Sequence, residues 1–164
     1  MEPTNLWVKQ DAVRFLPESY VFYQTGAANA VLNQIKTFSI MDRAAVDRLI
    51  TQGPILGLGA IVRVGVSCDH LETDIQKAVE SGNEDLFVAD TMQALAEATG
   101  IDPVTFPAKV DEYHGFCDAG VDTQYKKTPA FLAGHRLARL ILCGCSARVH
   151  APRTNAPPPG DMLQ

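Results

Sequence analysis

The chain has 164 residues, of which 46% are apolar and 20% charged, with a net charge of −5. That composition suits a single globular domain. It argues against a general affinity for nucleic acid, which needs a basic surface to displace counterions. No apolar run approaches the roughly 20 residues of a membrane span. The opening MEPTNLWVKQ lacks the basic and apolar regions of a signal peptide, so the expected location is cytoplasmic.

The elements follow from pattern and punctuation. LWVKQ (6–10) reads as a short strand, and the alanine-rich GAANAVLNQ (26–34) as a helix. KTFSIMD alternates Phe38 and Ile40 with polar neighbours, the period of a strand. A helix follows, capped by Asp42, with Val46, Leu49 and Ile50 on its apolar face and Gly53-Pro54 as its stop. The glycine-rich GPILGLGAIVRVG is expected to be a loop leading to a strand at 60–64. LETDIQKAVESGN places Leu71, Ile75, Ala78 and Val79 at helical spacing, with Gly82 just past the end. LFVAD is a short strand. DTMQALAEATG is a helix capped by Asp90 or Thr91, with Met92, Leu95 and Ala96 inward and Gly100 as its stop.

The last helix opens at Asp102-Pro103, carries Val110, Tyr113 and Cys117 on one face and ends at Gly120. Pro107 would remove a backbone hydrogen bond in a helix interior, so this helix either begins near Thr105 or bends. The alternation predicts an α+β domain, a small sheet with packed helices, over residues 1–133. From Ala130 onward the chain has arginines but no lysine, a proline run and a single acid, Asp161. Residues 134–164 are therefore expected to form a poorly ordered tail.

Chemically suggestive residues are weighed against plainer roles. Asp111, His114, Cys117 and Asp118 crowd one stretch, but a lone H-x-x-C supplies two ligands where zinc needs three or four. Cys117 falls on the apolar face, where free cysteine packs as a small hydrophobe, and His114 is expected in solvent. Cys143, Cys145, His135 and His150 form a second conceivable metal group, read here as accidental. The four cysteines of the chain, Cys68 among them, are too few and unevenly spaced for a disulfide scaffold. There is no P-loop, no G-x-S-x-G, and no G-x-G-x-x-G after a strand. No residue is assigned a catalytic or metal-binding role.

Taken in order, several segments resemble the fumarate reductase/succinate dehydrogenase flavoprotein family. LWVKQDAVRFLPES is similar to the family's crossing from the FAD-binding domain into the cap domain, approximately V-N-x-x-G-x-R-F-x-N-E. Val8, Arg14, Phe15 and Glu18 match, while Lys9, Ala12 and Pro17 stand where Asn, Gly and Asn are usual. The stretch from Ala89 to Lys127 resembles ADT-x-x-x-LA-x-x-x-GIDP…YN-x-x-C-x-x-G-x-D-x-x-FGK, with His114, Tyr125 and Lys126 replacing Asn, Phe and Gly.

The resemblance covers about residues 6–132 and implies a cap domain. In such enzymes a Rossmann-like domain binds FAD, reduced flavin passes a hydride to an activated alkene, an arginine delivers the proton, and the cap closes over the substrate. It implies that 111–127 is scaffold and that Arg14 and Glu18 serve the hinge before any catalytic step. The position of the proton-donor arginine, four after the motif's glutamate, holds Phe22. The FAD glycine fingerprint is absent from this sequence, and residues after Leu132 do not match the family's return to the FAD domain. The implied cofactor is FAD, held by a separate FAD-binding domain, with a small-molecule substrate only in an intact enzyme. The alternative is a non-enzymatic interaction module.

Overall fold

The structure, a computed structural model, describes residues 2–57, 59–134 and 140–146. The elements are β1 (Leu6–Lys9), α1 (Gln24–Leu32), β2 (Lys36–Asp42), α2 (Arg43–Gln52), α3 (Leu71–Glu80), β3 (Leu86–Ala89), α4 (Met92–Thr99), α5 (Thr105–Ala119) and β4 (Leu140–Ser146). Short 3-10 turns occupy Glu18–Phe22 and Pro129–Phe131. The strands form one antiparallel sheet in the order β1-β2-β4-β3. This is the expected α+β domain.

Side chains that alternate along a strand divide between its two faces. Leu6 and Val8 of β1 join Phe38 and Ile40 of β2, Leu95 and Ala96 of α4, and Phe106, Val110 and Tyr113 of α5 in one core. Trp7 belongs to a second core, with Leu16, Val21, Ala27 and Val31 of the 3-10 turn and α1 region. Val46 of α2 and Ile75 of α3 form a third, against Met41 and Val88. Helices thus cover both faces. Phe38 and Ile40 are fully buried, each worth about 1.5–3 kcal/mol.

Helix ends follow their chemistry. Asp42 accepts a hydrogen bond from the Ala45 N–H, capping α2, and Thr91 rather than Asp90 does the same for α4 through Ala94. Asp102 accepts from Val104 and Thr105, so α5 begins at Thr105 and Pro107 falls in its first turn, where its missing N–H costs no helical bond. Both α4 and α5 end at left-handed glycines, Gly100 and Gly120.

Two expectations are corrected. Residues 60–64 form turns with an isolated bridge at Val62, not a strand. The Gly65 N–H bonds to the Pro54 carbonyl, and Gly53 lies so near Val66 that an added Cβ would sit 2.3 Å from its carbonyl oxygen. The loop therefore folds back on the end of α2. The second correction concerns the tail. β4 lies within the region expected to be poorly ordered, and its backbone pairs with β2 on one side and β3 on the other. The apolar run LILCGC forms this strand, although the proline-rich composition beyond it has the character of a tail. Residues 135–139 and 147–164 lie outside the described residues.

Candidate functional site

A buried cluster of four charged side chains joins the start of the domain to the turn after α5. Arg14 and Glu18 stand four residues apart and meet through two hydrogen bonds, Nε to Oε1 at 2.9 Å and Nη2 to Oε2 at 2.8 Å. The same Nη2 donates to Asp122 at 2.9 Å. Lys127 Nζ reaches Glu18 at 3.2 Å and donates to the Tyr113 hydroxyl at 2.7 Å and the Asn5 carbonyl at 3.1 Å. The Trp7 N–H donates to Glu18, and the N–H groups of Gln124, Tyr125 and Lys127 donate to Asp122. Tyr113 and Tyr125 place their rings about 5 Å from the Arg14 guanidinium.

All four charged groups are nearly inaccessible, with Glu18 at 0% and Lys127 at 1% exposure. Burying ions costs several kcal/mol each, recovered only by good geometry and satisfied hydrogen bonds. Here two positive and two negative groups cancel. Burial works against the Arg14 charge, but the bonds to Glu18 and Asp122 outweigh it and raise its pKa. Burial likewise opposes ionisation of Asp122, yet Arg14 and the surrounding N–H donors hold its carboxyl at about 2. For Lys127 burial prevails over Glu18, and its pKa is lowered. Burial, with Glu18 nearby, pushes the Tyr113 hydroxyl upward. The arrangement is an electrostatic clamp between two distant stretches of chain, with no exposed acid or nucleophile.

Two strained turns aim the clamp. Ala12 has φ 64° and Lys126 φ 58°, the only non-glycine residues at positive φ among the described residues. These are the positions where the family motif has glycine. The backbone keeps the left-handed turn, and the L side chains bear a cost of about 1–2 kcal/mol at each. Ala12 precedes Arg14 by two residues and Lys126 adjoins Lys127, so each turn feeds one cation into the cluster.

Exposed aromatic residues follow Glu18 along the chain. Glu18 opens the 3-10 turn that carries Tyr20 and Phe22, and Tyr23 follows it. Phe22 contacts Phe131 at 5.5 Å between ring centroids, and Tyr20 contacts Tyr23 at 5.2 Å. Tyr20, Phe22 and Tyr23 are 41%, 46% and 68% exposed. Gly26 makes room for the Tyr20 ring: a Cβ there would lie 2.7 Å from Cε1.

Among the described residues, the other sequence-marked side chains do not converge. His114 Nδ1 is 3.6 Å from Asp111, and the His114 side chain is largely buried rather than solvated, its Nε2 shielded from water. Cys117 packs at the edge of the main core, where burial raises its thiol pKa. No three metal-ligating side chains come together among the described residues. Cys143 and Cys145 stand in β4, and His135 and His150 lie outside the described residues. Asp122 and Lys127 had no role assigned individually from sequence. The signal available was their retention at the motif's Asp and Lys positions.

FAD was tested against the residues present. Its pyrophosphate requires open backbone N–H groups where a helix follows a strand. The helices in that position are α2 and α4, and their first turns are already capped, α2 by the carboxylate of Asp42. The small pocket beside the clamp, lined by Arg14, Glu112, Tyr113 and Gln124 among others, has room for about one water. Among the described residues, neither these helix starts nor this pocket offers a cradle for the pyrophosphate.

The fold is thus an α+β domain with a four-stranded antiparallel sheet, its start tied to the turn after α5 by a buried clamp. No family model matches the chain. A solution structure of a fumarate reductase flavoprotein subunit from Lactobacillus plantarum superposes with a TM-score of 0.59 at 19% identity, covering 88% of this chain and 85% of that one. The open conformation of a flavocytochrome c3 fumarate reductase gives 0.54 at 18% identity, covering 87% of this chain and 21% of that one. A vinyl phenol reductase of Lactiplantibacillus plantarum is 31% identical over 127 residues, 77% of this chain and 26% of that protein. The chain thus spans about a quarter of the length of that curated relative. The sequence match and the shared fold support reading the chain as a cap-domain fragment of the fumarate reductase-like flavoprotein family. No helix among the described residues is long and apolar enough to cross a membrane.

Proposed function

We propose that this chain is the substrate-capping domain of a cytoplasmic, FAD-dependent alkene reductase whose flavin is held by a separate FAD-binding domain. The observation that carries the reading is the match, across 77% of the chain, to a protein named as a vinyl phenol reductase. The clamp supports it. By tying 14–18 to 122–127 it fixes together the stretches where, by the family pattern, the chain enters and leaves the cap, so that the cap would move as one body. Capped helix starts leave the flavin's phosphates to the other domain.

The chain alone, purified and incubated with FAD, is expected to show no retained flavin absorbance after desalting. Mixed with an FAD-loaded, cap-deleted vinyl phenol reductase, it is expected to bind and raise alkene reduction above that of the deleted enzyme. Stoichiometric flavin on the chain alone, or no association with the deleted enzyme, overturns the proposal. Phe22, at the position of the family's proton-donor arginine, favours a second reading, in which the domain binds and covers without transferring a proton.

A further inference from the structure

We propose that Arg48 and the backbone N–H groups of Ile55 and Leu56 form a carboxylate-binding site, filled in this chain by its own Glu2, and that occupancy of the site holds residues 53–56 on the domain. Glu2 lies in the stretch leading into β1, more than fifty residues from the loop that follows α2. Its carboxylate is engaged at both oxygens. Oε2 accepts from the Ile55 N–H at 2.8 Å and from Arg48 Nη2 at 2.9 Å, and Oε1 accepts from the Leu56 N–H at 3.3 Å.

Helix and loop assemble the donors before Glu2 is counted. Arg48 stands on α2, and its Nη1 donates to the Gly53 carbonyl at 3.1 Å, which ties the guanidinium to the helix end. Gly53 turns the chain at φ 74°, a conformation that favours glycine. The Pro54 carbonyl accepts from the Gly65 N–H, bracing the turn from the far side of the loop. The successive N–H groups of residues 55 and 56 then meet one carboxylate. Successive backbone donors make an anion-binding concavity, and a guanidinium beside them adds charge-assisted bonds.

The donor set selects the occupant. Two N–H groups and a guanidinium can only donate, so an ionised carboxylate satisfies them, whereas an amide brings donors of its own. Glu2 is 6% exposed, and a charge so shielded requires partners of this kind. The site therefore differs from an exposed ion pair, which is worth little. Beyond it the loop is lightly held: Leu56 packs at the edge of the Trp7 core, while Ile61, Val64 and Val66 are exposed. Emptying the site would part the stretch before β1 from the loop after α2.

The test is amide hydrogen exchange on the full chain and on Glu2→Ala, with and without acetate. The variant is expected to exchange at Ile55 and Leu56 about tenfold faster than the wild type, the scale of one charge-assisted hydrogen bond, with Phe38 and Ile40 in β2 unchanged. Acetate is expected to restore protection saturably in the variant and to alter nothing in the wild type, where Glu2 holds the site. Acetamide, and chloride at the same ionic strength, are expected to restore none. Adding Arg48→Gln to Glu2→Ala is expected to abolish the acetate response. Wild-type exchange in Glu2→Ala, or faster exchange spread through β2, overturns the proposal. So does an absent acetate response, one that acetamide or chloride reproduces, or one that survives Arg48→Gln. The measurement needs neither flavin nor a second protein, so its outcome leaves the capping role to its own experiment.

Discussion

Arg14 and Glu18 share one short stretch of chain with Tyr20, Phe22 and Tyr23, yet the two groups meet opposite environments. The charged pair is sealed from water and fully engaged, while the aromatic residues stand half in solvent. Simple hydrophobicity would have placed them the other way round. The inversion is stable because the charges arrive as a matched set with their hydrogen bonds made, whereas the rings are partly covered by one another and by Phe131. In this region the polar groups hold the architecture and the large aromatic groups lie at the surface.

Removing one member of the matched set should break the comparison most severely. Arg14→Ala leaves Glu18 and Asp122 buried without their shared cation, a loss of about 3–5 kcal/mol. Against a typical total of about 5–15 kcal/mol that is enough to threaten the fold. Urea unfolding should show a large fall in midpoint. A variant as stable as the wild type would mean that water reaches the cluster and that the clamp is weak.

Acid should loosen the same set more gently. Asp122 has a folded-state pKa of about 2, below its ordinary value. Its contribution is therefore present above the unfolded pKa and is lost as pH falls through the folded one. Between about pH 5 and pH 1 the wild type should lose roughly 2–3 kcal/mol through this group alone. Asp122→Asn, already lacking that contribution, should lose correspondingly less over the same interval. Parallel pH profiles for the two proteins would remove Asp122 from the clamp.

How much of this was legible in the sequence depended on how local each signal is. Asp42, Gly53, Gly100 and Gly120 punctuate helices through contacts a few residues away, and the corresponding elements were readable from their neighbours. β2 was legible from the alternation of Phe38 and Ile40. β4 was not, because its place depends on two partners more than fifty residues upstream, and the composition after it points elsewhere. The clamp was half legible. Arg14 and Glu18 announce themselves at helical spacing within a recognisable motif, but nothing local says that Asp122 and Lys127 complete the charge balance. The aromatic surface was visible only as the residue Phe22 out of place in a family pattern.

The smallest expected effect sharpens the comparison from the side of the backbone. If the polar set dictates the architecture, the turns that deliver it must hold even where the side chain resists. Lys126 does resist: its φ of 58° is one that an L residue adopts at a cost, and its side chain is exposed, so little packing offsets the strain. Lys126→Gly relieves the steric cost of about 1–2 kcal/mol but gives the unfolded chain more freedom, a penalty of roughly 0.5–1 kcal/mol. The sign should therefore favour the variant, by about 0.5–1 kcal/mol in urea unfolding. Ala12→Gly has no such margin, since Ala12 is buried in the main core and its methyl group would be lost, worth about 0.8 kcal/mol. A gain at 126 with none at 12 fits a turn fixed by Asp122 and Lys127. A loss at 126 would mean that the lysine side chain holds the turn, and the clamp would then extend to the surface.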